Sequence, residues 1–251
     1  MREADLALDD EAAAELAAFV HLSEAGSTQD EAFARPLPGR GALVVVADRQ
    51  SAGRGRRGRG WQGDPEGALA LTVLRRFEQP PRALAALGPA VGVAVARALR
   101  AQGAAVTLKW PNDLVFEDRK LGGILIEARG PAVAIGLGLN LSLSALPGVD
   151  QPWTDLARAG LAAPARVAVL GAVLRSLLPA LLQFEREGFA VFAEAWKEFD
   201  ALAGRAVRVL AGDAVHEGVV LGLAEDGGLR VQQADGERLH HAGEVSVRVA
   251  A

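Results

Sequence analysis

The chain has no cysteine, so disulfides, thiolate metal sites and a cysteine nucleophile are excluded before any motif is read. It also lacks an excess of positive charge. Its 27 Lys+Arg stand against 31 Asp+Glu, a net charge of −4, whereas a general nucleic-acid-binding domain is basic throughout. The first residues, MREADLALDDEAAAELAAFV, carry acids where a secretory leader needs a basic start and a long apolar run. No uninterrupted apolar segment is expected to reach the length of a membrane span. The expectation is therefore a cytoplasmic globular protein without a membrane, and the formal glycosylation acceptor Asn140-Leu-Ser142 carries no weight without secretion. Apolar residues make up 50% of the chain, enough for one large core and a small satellite domain.

Periodicity organises what is there. Residues 9–19 read as a short helix opened by acids. Residues 42–47 (ALVVVA) and 68–74 are strand candidates, and 82–102 is an Ala-rich helix capped by Gly103. Four short β-type runs follow at 106–109, 114–116, 123–128 and 133–139, separated by WPND, EDRK and ARGP turns that favour antiparallel neighbours. Residues 165–183 and 188–199 return to helical periodicity. From about Ala203 the pattern changes to RAVRVL, HEGVVLGL, GLRVQQ, ERLHH and EVSVRV, divided by GD, EDGG and ADGE turns. Five short strands suggest a small closed barrel, because closure removes exposed edges. The expected fold is α+β, a mixed or antiparallel sheet with helices over residues 1–202 and a second, small β domain over 203–251.

Four segments carry chemistry. In RQSAGRGRRGRGW, Gly53, Gly55, Gly58 and Gly60 alternate with Arg54, Arg56, Arg57 and Arg59. The glycines let the backbone approach a ligand, and the guanidinium forks suit carboxylate or phosphate. An RNA contact of the RGG kind and a lid over a small anion both fit this composition; the position between two predicted strands in an acidic chain favours the lid. In KWPND, Pro111 holds Trp110 extended and Asn112-Asp113 turn back, which alone need be no more than a hairpin. In RKLGGILIE, Lys120 stands at the mouth of a strand thinned by Gly122 and Gly123. In AIGLGLN, two more glycines let another group pack on the strand.

Taken together and in this order, Ser27-Thr28, GRGRRGRGW, KWPNDL, RKLGGILIE and GLGLNL resemble the biotin protein ligase family, from about residue 20 to the C-terminus. The resemblance implies a core like that of class II aminoacyl-tRNA synthetases and a C-terminal SH3-like β-barrel. It implies that ATP adenylates biotin, giving biotinyl-5′-adenylate and pyrophosphate. A lysine in the biotin carboxyl carrier domain of acetyl-CoA carboxylase, or of a related carboxylase, then takes the biotinyl group. By resemblance Ser27, Thr28 and Gln50 bind the ureido ring, Gly53, Arg54 and Arg56 close over the biotin tail and phosphate, and Gly122 and Gly123 let biotin lie on the strand. Lys120 reaches the carboxylate and α-phosphate and, with Arg54 and Arg56, is the catalytic set. Arg57, Arg59, Trp61, Lys109, Asn112, Asp113, Asn140 and Trp153 are assigned to ATP or the adenylate, with Asp113 as the candidate Mg²⁺ ligand.

Two departures accompany the resemblance. Gln29 stands where the family commonly has Asn, keeping the amide with one more methylene. The bifunctional members carry an N-terminal DNA-binding domain for which the residues before the motifs leave no room, so no DNA binding is expected. A lipoate- or octanoate-handling relative is the nearest alternative; its transferases use a cysteine. The family holds both monomers and homodimers, and neither is selected. His216, His240 and His241 are expected to be surface or turn residues rather than metal ligands.

Overall fold

Alternation along ALVVVA divides the molecule into two layers. The computed structural model describes residues 1–64, 66–78, 83–145, 149, 151–211, 214–242 and 245–249. Its helices are α1 (Asp10–Ala14), α2 (Thr28–Phe33), α3 (Leu87–Ala101), α4 (Arg166–Glu187) and α5 (Ala190–Phe199). The first seven strands are β1 (Leu16–Ala25), β2 (Ala42–Gln50), β3 (Ala68–Arg76), β4 (Thr107–Lys109), β5 (Asp113–Phe116), β6 (Arg119–Arg129) and β7 (Ala132–Asn140). They form one sheet in the order β1-β2-β3-β7-β6-β5-β4. The β1–β2 pair is parallel and the others are antiparallel.

Because side chains alternate across a strand, Ala42, Val44 and Val46 enter the large core while Leu43 and Val45 enter a small cluster on the opposite face. The large core is filled by α3, α4 and α5. On the other face α2 covers part of the sheet, through Ala32 and Phe33 against Leu43, Val45, Leu74 and Ala134. Beyond α2 that face carries small residues. Thr72 pairs with Gly136, Ala70 with Gly138, and Gly138 with Gly123. Large residues behind and small ones in front leave a groove on a rigid floor.

The sheet corrects the reading of residues 9–19. The acids do open a helix, and the Asp9 carboxylate accepts from the Ala12 amide (2.9 Å). It ends at Ala14, and Leu16 begins a ten-residue strand. Pairing with the Val-rich β2 satisfies its backbone across the sheet, which outweighs the helix propensity of alanine. The helix expected over 82–102 begins regularly at Leu87, after a 3₁₀ turn at Ala83–Ala86; Arg82 lies outside the described residues. Gly103, at φ +97°, closes it as expected. Leu84–Ala101 and Arg166–Glu187 are long and apolar enough to cross a membrane by length and composition, although arginines interrupt both, so neither is the uninterrupted apolar run whose absence was expected. Their windows are 67% and 56% buried, and both pack in the core.

The C-terminal strands are β8 (Ala206–Ala211), β9 (Ala214–Leu223), β10 (Leu229–Gln233), β11 (Gly236–His240) and β12 (Val245–Val249). Gly212-Asp213 of the expected GD turn and Glu244 lie outside the described residues. These strands form an antiparallel sheet in the order β11-β10-β9-β8-β12. Where a closed barrel was expected, the described ladder is open between β11 and β12. Val207, Val209, Val220, Leu229, Val231 and Val247 of its inner face join the large core. That face is therefore buried at the junction with the main body, while β11 and β12 each keep one edge unpaired among the described strands. Trp110, fully buried, donates its indole N–H to the Gly227 carbonyl across this junction (3.0 Å). His216 and His241 are exposed at the surface, as expected, and His240 is half-buried; His216 and His240 sit on strands, with ring centroids 5.7 Å apart.

Candidate active site

The groove opens into a cavity of about 750 Å³. Strand β7 runs along its floor, so the side-chain positions Gly136, Gly138 and Asn140 order its contents. Beside Gly136 stand the hydroxyls and amides of α2 and β2. Thr28 donates from both its amide (2.8 Å) and its hydroxyl (3.1 Å) to the Gln50 side-chain oxygen. Thr72 donates to the Thr28 hydroxyl (2.9 Å). The Gln29 amide donates to the Leu125 carbonyl (3.0 Å) and covers Gly136. Ser27, buried at the start of α2, completes this end.

At Gly138 the indole of Trp61 lies on the bare backbone. A Cβ there would stand 2.3 Å from Trp61 Cε2. The loop reaches that position by a pinch at its base. The Trp61 amide donates to the Gly53 carbonyl (2.8 Å), and a Cβ on Gly53 would meet the Trp61 carbonyl at 2.6 Å. Gly53 thus shapes the loop without lining the cavity. The Trp61 indole N–H is buried without a partner.

Lys120 comes from the start of β6, where its ammonium lies 2.7 Å from the Asp113 carboxylate and 5.9 Å from the Trp61 ring. A Cβ on Gly123 would touch Lys120 Cε (3.3 Å) and Nζ (3.4 Å), so the bare backbone there leaves room beside the ammonium. Gly122, expected to line the same site, does not. Successive residues face opposite ways, and a Cβ on Gly122 would run into Leu139 Cδ2 (2.6 Å) and the Gly138 carbonyl (2.7 Å). Pro152 and Thr154 bond the Lys120 backbone (2.9 and 2.8 Å), which seats Trp153 against the mouth of β6. Asn140 donates to the Thr154 carbonyl (2.8 Å), and its own side-chain oxygen is buried without a partner.

The arginines of the loop divide by environment. Arg54 is clamped, one amino group on Asp30 (2.8 and 2.7 Å) and the other on Glu127 (2.8 Å), while its Nε is buried without a partner. Arg56 donates to the Asn112 side-chain oxygen (3.1 Å), whose amide in turn donates to the Ile124 carbonyl (2.8 Å). Burial lowers the Arg56 pKa from its ordinary value, with Asp113 opposing and Arg59 and Arg57 adding to the shift. Arg57, at φ +60°, and Arg59 are exposed at the tip. Lys109 is also pushed down by burial, with Asp113 and Asp118 opposing and Arg248 and Lys120 assisting.

These features match known proteins. The Biotin/lipoate A/B protein ligase family model covers residues 28–140, and the Biotin protein ligase C terminal domain covers 203–248. The Biotin--[acetyl-CoA-carboxylase] ligase of Paracoccus denitrificans is 31% identical over 242 residues, spanning 89% of this chain and 98% of that one. The chain belongs to the biotin protein ligase family. The Bifunctional ligase/repressor BirA of Escherichia coli is 37% identical over 216 residues, 82% of this chain and 67% of its own. The biotin protein ligase from Aquifex aeolicus in complex with biotin and ATP superposes with a TM-score of 0.80 at 29% identity, covering 93% of this chain and all of that one. The two-sheet architecture is thus a biotin ligase fold.

Against this ligase frame, the structure gathers Ser27, Thr28, Gln50, Arg54, Arg56, Arg57, Arg59, Trp61, Lys109, Asn112, Asp113, Lys120, Gly123, Asn140 and Trp153 around one cavity, and leaves Gly53 and Gly122 outside it. Sequence reasoning missed Asp118, Val247 and Arg248, which also line it. No local signal marks them, since β12 is a generic strand and only the junction of the two sheets brings Arg248 near Lys109.

Proposed function

We propose that this cavity joins biotin to ATP and passes the biotinyl group to a lysine of a carboxylase carrier domain. The supporting observation is the order along β7. Neutral donors and acceptors flank Gly136, Lys120 and Trp61 flank Gly123 and Gly138, and an unpaired amide oxygen with Trp153 lies by Asn140. From Gly136 to Asn140 a strand spans roughly 13 Å. That is enough to hold a ring, a reacting carboxylate and a nucleotide in sequence.

In this reading Ser27, Thr28 and Gln50 hold the ureido ring, and Gly123 lets the biotin tail lie on the sheet. Bringing a carboxylate to the α-phosphorus sets two anions together, so preorganised cations lower the barrier. Lys120 and Arg56 supply that charge beside the reacting atoms. Arg54 anchors the lid, with Nε as its free donor. The carboxylate attacks phosphorus and pyrophosphate leaves; the acceptor amine then attacks the acyl carbon and AMP leaves. Lys109, Arg248, Arg57 and Arg59 face the phosphates, Asn112 holds Arg56, and Trp61, Asn140 and Trp153 enclose the nucleoside.

Among the described residues no cluster of three or more His, Cys, Asp or Glu could cage an ion. Mg²⁺ bound through one or two carboxylates and substrate phosphates needs no such cage, so Asp113 fits an ion that arrives with the nucleotide. There it would neutralise phosphate charge. We assign residues 1–202 to a synthetase-like catalytic domain and 203–251 to an SH3-like domain. The same reading takes acetyl-CoA carboxylase as the acceptor and the cytoplasm as the setting. Biotin-dependent exchange of labelled pyrophosphate into ATP tests the reaction. Exchange that requires biotin and slows in Lys120→Ala is expected; folded protein without exchange overturns it.

A further inference from the structure

Among the described residues, the C-terminal sheet reaches the cavity through one strand, β12, which brings Val247 and Arg248 to its wall. Strand β12 pairs only with β8 among the described strands. Its placement over the cavity therefore depends on what fixes the start of β8 and the turn between β9 and β10.

Both points are tied to the hairpins that carry the cations. Just before β8, the Arg205 guanidinium straddles Asp118, with Nη1 to Oδ1 at 2.6 Å and Nη2 to Oδ2 at 3.0 Å. Asp118 occupies the tight turn from β5 to β6, where Glu117 and Asp118 take φ of +51° and +59° in succession. A two-residue turn of this left-handed kind holds its side chains in fixed directions, and a bidentate pair constrains orientation as well as distance. Between β9 and β10, the Gly227 carbonyl accepts from the buried Trp110 indole. Gly227, at φ +76°, lies so close to Ala86 that a Cβ would stand 2.6 Å from its methyl. Trp110 follows Lys109 directly, and Asp118 precedes Arg119-Lys120.

We propose that Trp110 and the Asp118–Arg205 pair are positioning residues for the nucleotide half of the reaction: they hold the C-terminal sheet so that Arg248 completes the cation set of Lys109, Lys120 and Arg56. The inference rests on the ligase reading above. Stability is a poor explanation for the ion pair. Asp118 and Arg205 side chains are 61% and 36% exposed, and exposed pairs contribute little to folding. Small misplacements of a charge beside a reacting phosphate, by contrast, cost heavily in rate or binding.

The charge of Asp118 separates positioning from simple electrostatics. Asp118 lines the cavity and faces Lys109, Arg205 and, through Lys109, Arg248. If it acted only as a local negative charge, Asp118→Asn would make the site more attractive to a triphosphate. Positioning gives the opposite sign.

Labelled pyrophosphate exchange at varied ATP and varied biotin, on full-length wild type, Asp118→Asn, Arg205→Gln, the double variant and Arg248→Ala, decides the matter. The expected result is a KM for ATP raised about fivefold in each single variant, equivalent to about 1 kcal/mol of lost nucleotide interaction at ~1.4 kcal/mol per tenfold. The double variant should be no worse than either single, and the KM for biotin and Tm should stay unchanged. Trp110→Phe, which keeps the ring and loses the N–H, should shift the same KM. An ATP KM that is unchanged or lower in Asp118→Asn overturns the proposal, as does a parallel rise in both KM values with a lowered Tm. Absence of exchange in the wild type would instead count against the ligase reading itself.

Discussion

Gly138→Ala isolates the contact between the Gly/Arg loop and the floor of the cavity. The added methyl would stand 2.3 Å from Trp61 Cε2, 2.5 Å from Cζ2 and 2.8 Å from Nε1. Carbon contacts relax at about 3.5 Å, so the indole must lift by about 1.2 Å. Overpacking costs about 1–3 kcal/mol where neighbours cannot move. Here the neighbour is a half-buried ring on a loop, so the ring should move and most of that cost should be avoided. Gly122→Ala is the matched control, because its methyl meets the Gly138 carbonyl at 2.7 Å and Leu139 at 2.6 Å inside the sheet. With 1 kcal/mol shifting Tm by roughly 2–4 °C at this chain length, Gly122→Ala should lose several degrees and Gly138→Ala fewer than about two. In a Trp153→Phe background, Trp61 is the accessible indole, since Trp110 and Trp196 are buried. Acrylamide quenching of its fluorescence should rise in Gly138→Ala and stay unchanged in Gly122→Ala. Equal quenching in Gly138→Ala and its parent would refute the seat of Trp61 on β7.

Two further outcomes follow from titration. Burial holds the Lys109 pKa below its ordinary value of 10.5, so the wild type should lose that charge, and its KM for ATP should rise, as pH climbs toward 10.5. Lys109→Arg, charged throughout, should flatten this rise; identical profiles would remove Lys109 from the nucleotide site. Burial also raises the Asp200 pKa above 3.8, so the folded state binds its proton more tightly than the unfolded state. The associated stability falls as pH rises from about 3.8 through the raised value, and the penalty is complete above it. Asp200→Asn keeps an acceptor for the Leu202 amide and should raise Tm at neutral pH, with the gain shrinking toward pH 3.8. A lower Tm at neutral pH would contradict this.

Elements set by near neighbours were legible without coordinates. The buried run ALVVVA, the alternation of AIGLGLN and the helical period over 165–199 became β2, β7, α4 and α5. Residues 9–19 misled because composition favoured a helix while the partner that makes β1 a strand lies at 42–50. The site followed the same division. Lys120, Asp113 and Arg56 announced themselves by charge among glycines and turns, but Gly122 and Gly123 are indistinguishable as letters. Only the pairing register assigns one to the core and the other to the cavity.

By itself, the sequence determined the chemical inventory: a loop of glycines and arginines, a lysine at the mouth of a strand, a floor of alternate glycines, and no thiol. Tertiary structure decided what each cation faces. Arg54 is claimed by Asp30 and Glu127, 24 and 73 residues away, and Arg248 reaches the cavity only because a second sheet is docked through Trp110 and Arg205. Local signals specify the period and polarity of a segment. Ion pairs and cavity walls depend on distances between segments, and these exist only once the sheets have packed.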